Sequence, residues 1–337
     1  MPTPTFTFFN NKGGVGKTTL VYHVAHMLAQ LGQCVLIVDC DPQANLSAAF
    51  LSDETLEKLW DAPKRITTIY RSVQPMVRKG DFAAPELQTI HERLHLLAGD
   101  LLLSSFEDQL SEQWNNANSD SVDVYGRAFD ILTAFWRCAQ QSAQACKADI
   151  VIFDIGPNLG AINRSVLLGT DHIIAVLGAD LFSLRGLQNI GPTLRTWQKS
   201  WHTRRCGKAF DDYVLPQGNM QVLGYVAMQH QERLSRPVRA YSQWMDRIPR
   251  DYRQYVLNQA LSAESANIPD IKEDPYCLAL LRHYKSIVPI SQEVRKPMFD
   301  LKSADGVSGS QITTVRAAHA DFQTLSKRIL EKAQLPI

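Results

Sequence analysis

The sequence has no apolar run approaching the roughly 18 to 20 residues that cross a bilayer. Its opening, MPTPTFTFFNN, has neither the basic n-region nor the apolar h-region of a secretory leader. Its six cysteines, Cys34, Cys40, Cys138, Cys146, Cys206 and Cys277, include no pair at the two-residue spacing of a zinc or redox site. Buried thiols in a reducing compartment are the expectation. Neither sign of charge is in excess: 35 Lys and Arg against 34 Asp and Glu leave +1, which excludes a polycation. Contact with nucleic acid must then come from a local cluster. There is no internal repeat and no low-complexity tract, so no flexible linker is placed. These absences predict a soluble, cytoplasmic chain without a stable membrane anchor.

What remains is ordinary globular material, 337 residues with 45% hydrophobic and 20% charged side chains, enough for one large α/β domain with insertions. Residues 5–9 form a short β-prone run and residues 10–16 a Gly-rich turn. Residues 18–31 then place Leu20, Val24, Met27, Leu28 and Leu31 on one helical face. Gly32 closes that helix, and 34–38 is a continuous apolar run, the mark of a strand covered on both faces. Strand, crossover helix and second buried strand predict a parallel sheet. Further strands are expected at 94–97, 150–153, 173–177 and 222–228, and helices at 55–60, 125–143 and 310–333. One domain over 1–337 is expected, with insertions at 52–90, 196–219 and 231–284, the last mostly helical.

The chemistry sits in Lys12-Gly13-Gly14-Val15-Gly16-Lys17-Thr18-Thr19, between a predicted strand and a predicted helix. Glycines let the backbone turn its N–H groups toward phosphate oxygens, and the helix N-terminus adds partial positive charge. Lys17 suits the terminal phosphates and the Thr18 hydroxyl a bound Mg2+. A strand ending in Asp39-Cys40-Asp41-Pro42-Gln43 and another ending in Asp154-Ile155-Gly156-Pro157 put three acids at the sheet edge where α/β folds bind ligands.

The loop departs from the strict phosphate-loop pattern, with Asn11 at its first glycine and the extra Lys12. In this it resembles the deviant Walker A motif of the ParA/MinD family of P-loop ATPases. The 39–43 stretch resembles that family's first switch segment. The 150–157 stretch resembles its Walker B strand and second switch, and Ala179-Asp180-Leu181-Phe182-Ser183-Leu184-Arg185-Gly186-Leu187 a further conserved run. The resemblance implies a mostly parallel twisted sheet with helices on both faces, carrying helical insertions, and Mg2+ and ATP as cofactors. It implies that Lys12 reaches across a nucleotide-sandwich homodimer to the partner's phosphates. Asp41 then orients the attacking water and touches the metal shell, Asp154 holds Mg2+ through a water, and Asp39 supports them. Met228, Gln229 and Pro289 fall near the adenine by the same analogy.

Between Arg195 and Arg253 stand eleven Lys or Arg (195, 199, 204, 205, 208, 233, 236, 239, 247, 250 and 253) against five Asp or Glu. A helix over 236–248 groups Arg236, Arg239 and Arg247 on one face. Either this is a solvated surface or it is a non-specific DNA-backbone patch with salt-dependent binding. The leading expectation is a ParA-like switch in DNA or cargo partitioning: slow hydrolysis, an ATP-dependent dimer, DNA and a stimulating protein partner. An orphan regulator in a mobile-element or phage-defence system is an alternative, as is an ATP-dependent metabolic synthetase on the same fold. A MinD-like membrane ATPase would need an amphipathic C-terminal helix, of which 327–335 is a poor version. The iron–sulfur reductase branch would need cysteines just after Asp154, and 154–169 has none.

Overall fold

The computed structural model describes residues 1–62, 65–79, 83–208, 214–228, 243–260, 268–284 and 286–337. In chain order the elements begin with β1 (Thr5–Phe9), α1 (Lys17–Gln30), β2 (Val35–Asp39), α2 (Asn45–Phe50), α3 (Asp53–Trp60) and α4 (Ile69–Lys79). There follow β3 (Gln88–His91), β4 (Leu94–Leu97), α5 (Glu107–Asn116), α6 (Val122–Leu132), α7 (Ala134–Cys146) and β5 (Ile150–Asp154). Next come α8 (Ala161–Leu168), β6 (His172–Gly178), α9 (Leu181–Arg205) and β7 (Gln221–Met228). The chain ends with α10 (Ile248–Asp251), β8 (Cys277–Leu281), α11 (Val288–Glu293) and α12 (Ser310–Lys332). Eight strands form one sheet in the order β3-β4-β2-β5-β1-β6-β7-β8. β1 runs parallel to β5, β2 to β4 and β5, and β7 to β8, while β3 is antiparallel to its neighbour β4. The expected mostly parallel α/β class is what forms.

By internal contacts the chain makes two compact units, residues 1–7, 28–173 and 196–221, and residues 8–27, 174–195 and 222–337. The first is built on β2, β4 and β5, whose apolar runs are wholly buried, as parallel strands between covering layers require. Thr7 and Thr170 share a buried hydroxyl hydrogen bond of 2.7 Å, so polar strand residues are satisfied within the core. Trp201, fully buried, packs its ring 5.0 Å from Phe129 and 6.4 Å from Trp114 and donates its indole N–H to the Pro216 carbonyl. Residues 196–205, read from the sequence as the start of an insertion, continue α9 without a break.

The helix expected over 125–143 is two helices. Thr133 leaves helical geometry at φ −104°, and its hydroxyl bonds back to the Phe129 carbonyl, which ends α6 before α7 begins. The polar stretch 52–90 hides α4, interrupted in pattern by Pro75, and β3, whose half-exposed alternation carries little apolar signal.

The second unit is organised around α1, β7 and α12. His23, fully buried, stacks 5.1 Å from Phe322. Its Nδ1–H bonds the Thr19 carbonyl at 2.7 Å, while Nε2 accepts from the Met298 N–H at 3.0 Å. Burial therefore pushes its pKa down to about 4, and the ring stays neutral. Tyr225 and Arg253 both bond Asp274, at 2.7 Å and twice at 2.9 Å, which satisfies a fully buried carboxylate. The stretch 231–284, expected to be mostly helical, contains strand β8 beside β7. Its apolar five residues resemble a short helical turn when read alone. The helix expected over 236–248 lies for residues 236–242 outside the described residues. The terminal helix falls where the periodicity put it.

Candidate functional site

The phosphate loop follows β1 within the second unit. Asn10, buried, donates its amide to the Val176 carbonyl, and its Oδ1 accepts the Lys12 N–H at 2.6 Å, so the loop's first turn is pinned to β6. Gly14 at φ +76° and Gly16 at φ +92° take the left-handed backbone that a Cβ disfavours. A Cβ built at Gly13 or Gly14 meets nothing within 4 Å, so the outer side of the loop is open to a ligand. α1 starts at Lys17, with the Leu20 N–H bonding the Gly16 carbonyl at 2.9 Å. A left-handed glycine turn at a helix N-terminus is an anion cradle. Lys17 is buried at its mouth, and Thr18 and Thr19 are half-buried in the first turn. Lys12 points elsewhere: its Nζ is 2.8 Å from Asp180 Oδ2.

Of the residues expected near an adenine, Met228 ends β7 with its methyl 3.3 Å from a Cβ built at Gly16, against the loop itself. Pro289 sits in the first turn of α11, and Gln229 lies outside the described residues.

The three acids belong to the first unit. Asp39 and Asp154 are register partners at the ends of β2 and β5, and the Cys40 N–H bonds the Asp154 carbonyl at 2.8 Å. Asp39 is fully buried. Its Oδ2 accepts from the Ser47 N–H at 2.8 Å and hydroxyl at 2.7 Å, and that hydroxyl accepts the Gly99 N–H at 2.8 Å. Asp41 Oδ1 accepts the Gln43 N–H at 3.0 Å and lies 3.5 Å from a Cβ built at Gly156, which brings the two switch-like segments together. Asn163, also buried, places Nδ2 2.7 Å from the Gly156 carbonyl and 2.8 Å from that of Asn158. Glu107 covers the start of α8, accepting from the N–H groups of Ala161 and Ile162.

Burial, then the neighbouring Asp154, pushes the Asp39 carboxyl up to about 7, against the Ser47 hydrogen bonds that favour its ionised form. Three buried carboxylates in one place create a demand for a cation. Among the described residues no group of three or more His, Cys, Asp or Glu is placed to hold a metal ion by itself. Carboxylates too few to enclose an ion by themselves are the kind of donor Mg2+ uses, since it keeps waters and shares its shell with phosphate oxygens. The raised pKa gives a test. Asp39 supports folding while protonated, and that support is lost as pH rises from the ordinary 3.8 through about 7. Asp39→Asn never ionises, so its stability advantage over the natural protein, without nucleotide, should grow across that window. The gain should reach on the order of 2 to 4 kcal/mol and level off above it. His23 slopes the other way in both proteins and cancels in the difference. Denaturant titrations from pH 4 to 8 that run parallel would show Asp39 to be unperturbed.

A family model described as an AAA domain matches residues 3–205. The chain belongs to this family, on its ParA-like P-loop ATPase branch. Among curated relatives, a virulence-plasmid ParA family protein of Chlamydia trachomatis is 32% identical over 189 residues, 55% of this chain and 60% of the relative. The sporulation initiation inhibitor Soj of Bacillus subtilis is 27% identical over 194 residues, 58% of this chain and 66% of its own. The chain spans about half to two thirds of the length of the curated relatives it matches. A Corynebacterium diphtheriae protein of known structure shares the fold at TM-score 0.69 and 23% identity, with 98% of each chain covered. So does a Cyanothece McdA–ATP complex, at TM-score 0.59 and 15% identity over 99% and 98% of the two chains.

The basic residues of this ParA-like chain fall into two groups. Arg253 is committed to Asp274, Arg195 donates to the carbonyls of Tyr255 and Val256, and Arg247 pairs with Asp251. Arg204, Arg205 and Lys208 bond only carbonyls, of Trp114 and Ser200, of Pro216 and of Ala117. They are joined by Arg164 of α8, which the charge count missed because it stands outside that stretch. Its guanidinium lies 3.7 Å from the Trp114 ring centre and 5.4 Å from Trp197. Burial, then the nearby Arg204, pulls its pKa down to about 10. Among the described residues Arg164, Arg204 and Arg205 have no carboxylate partner, while Lys208 feels the charge of Asp120, which burial outweighs. Arg233, Arg236 and Arg239 lie outside the described residues. Among the described residues no helix is long and apolar enough to cross a membrane.

Proposed function

We propose that the chain is a nucleotide switch: it binds Mg-ATP on the 12–19 loop, closes as a two-subunit sandwich, and hydrolyses ATP slowly. The observation that carries the reading is the loop itself, left-handed glycines opening a helix with one buried and one half-exposed lysine. Lys17 grips the terminal phosphates, and the N–H groups around Gly13, Gly14, Val15 and Gly16 cradle them with Thr18 and Thr19. Thr18, Asp41 and Asp154 are the residues suited to hold Mg2+, which when bound neutralises charge between the β- and γ-phosphates. Asp41 orients the attacking water and Lys12 meets the partner subunit's phosphates. Met228 and Pro289 border the base.

The ATP state then favours DNA or a protein partner and hydrolysis releases it. Membership of the ParA-like branch and the cations of α8 and α9 that pair with no described carboxylate support the DNA arm. Light scattering tests the core of this. The Mg-ATP sample should show twice the mass of the Mg-ADP and nucleotide-free samples, with slow phosphate release. Equal masses in all three, with or without turnover, would remove the sandwich dimer from the reading.

A further inference from the structure

Lys12 is engaged inside its own subunit. Its Nζ is 2.8 Å from Asp180 Oδ2 and 5.6 Å from the centre of the Phe182 ring, with side-chain exposures of 38% for the lysine and 29% for the aspartate. Asp180 is the fixed member of the pair. Its Oδ1 accepts the N–H groups of Phe182 at 2.9 Å and Ser183 at 3.0 Å, capping α9, while the Ser183 hydroxyl accepts the Gly178 N–H at 3.0 Å. Burial alone would raise this carboxyl, but the bonds from Lys12, Ser183 and Phe182 outweigh it and hold it below the usual range.

We propose that Asp180 is a positioning residue that holds Lys12 in its own subunit, so that breaking this pair sets the threshold for ATP-driven dimerisation. The inference rests on the reading of Lys12 as the lysine that crosses to the partner's phosphates. One ammonium cannot satisfy both anions. While Lys12 is paired in its own chain, only the fraction of molecules with the pair open is ready to dimerise, and apparent affinity falls by that fraction. A half-exposed pair of this kind shifts such a balance about two- to fivefold.

The surroundings make the exchange depend on nucleotide. Leu181 and Phe182, 42% and 69% exposed, stand beside the pair. A second copy covering them would take the pair out of water, which is unfavourable unless Lys12 gains a stronger anion. A triphosphate in the facing subunit is such an anion, and a diphosphate is a weaker one.

Asp180→Asn separates the two jobs of the residue, because Asn caps a helix about as well as Asp but carries no charge. Its melting temperature should match the natural protein. In Mg-ATP and 50 mM salt its dimerisation midpoint should fall about two- to fivefold, with phosphate release at limiting protein rising in step. At 0.5 M salt the two proteins should converge, since screening already loosens the pair. In a Lys12→Ala background the change should have no effect, and Asp180→Ser, a second uncharged cap, should reproduce it. Unchanged or weaker dimerisation of Asp180→Asn, with Lys12→Ala still defective, would overturn the positioning role and leave the switch intact. Normal dimerisation and turnover of Lys12→Ala would instead overturn the reading on which the role rests.

Discussion

Lys17→Ala should lose ATP binding by about 100-fold or more, whereas Lys12→Ala should bind ATP within a few-fold of the natural protein and yet neither dimerise nor hydrolyse. The two lysines differ in where they stand. Lys17 opens α1 and is buried at the cradle, 8% exposed, where a charge-assisted bond to phosphate is worth most. Removing it leaves a triphosphate with only backbone dipoles to offset its charge, and at 1.4 kcal/mol per decade about 3 kcal/mol is a hundredfold. Lys12 lies at the loop's lip, and in its own subunit it serves Asp180. Its proposed contribution appears only when charge develops on the phosphate across the dimer. Removing one such preorganised donor commonly lowers turnover about 10²- to 10³-fold with little effect on ground-state binding. Fluorescent-nucleotide titration, light scattering and phosphate release separate the two outcomes. A Lys12→Ala protein that binds ATP 100-fold more weakly would place Lys12 on its own subunit's nucleotide.

How much of this was legible beforehand depends on the distance over which each feature is determined. The loop 12–19 was readable because its determinants are adjacent: glycines, lysine and hydroxyls between one strand and one helix. β2 and β5 were readable because continuous apolar runs have few other uses. Asp39, Asp41 and Asp154 followed as the residues leaving those strands.

The residues that hold the site in place were not readable. Asp180 stood in a recognised segment, but its partner Lys12 is 168 positions away. Glu107, which covers the first N–H groups of α8, is an unremarkable acid in an amphipathic stretch 54 residues upstream. Asn163 has no sequence signature, since its worth lies in two loop carbonyls that only the fold brings to it. Element boundaries failed for a related reason. A hydroxyl at Thr133 folding back on Phe129 breaks a periodic pattern that otherwise continues, and β8 is five residues that read equally as a helical turn.

Counting charge had the same weakness, and it leads to the second large expected effect. Arg204→Gln, Arg205→Gln and Lys208→Gln together should reduce the salt dependence of DNA binding by the Asp41→Ala protein, in which loss of the proposed water-orienting carboxylate should trap the ATP state. The slope of log K against log salt should flatten by roughly 2 to 3, at about 0.9 per phosphate contact, and affinity at 0.1 M salt should fall by on the order of 10² or more. Arg253→Gln serves as the contrast. Its guanidinium is held by buried Asp274, so its loss should cost stability, on the order of 3 kcal/mol or more, and leave the slope alone. Arg164 should stay in place in this experiment, because its stacking on Trp114 ties α8 to α5 and its removal would mix packing with charge. These weakly compensated cations are the reason for the choice. Their hydrogen-bond partners are backbone carbonyls, and burial lowers the pKa of Arg204, Arg205 and, against Asp120, Lys208, so each gains from an arriving phosphate. Fluorescence anisotropy with a mixed-sequence duplex, in Mg-ATP and in Mg-ADP across a salt series, reads both quantities. An unchanged slope in the triple variant would move the DNA face elsewhere on the protein. No binding in either nucleotide would leave a ParA-like switch whose partner is a protein.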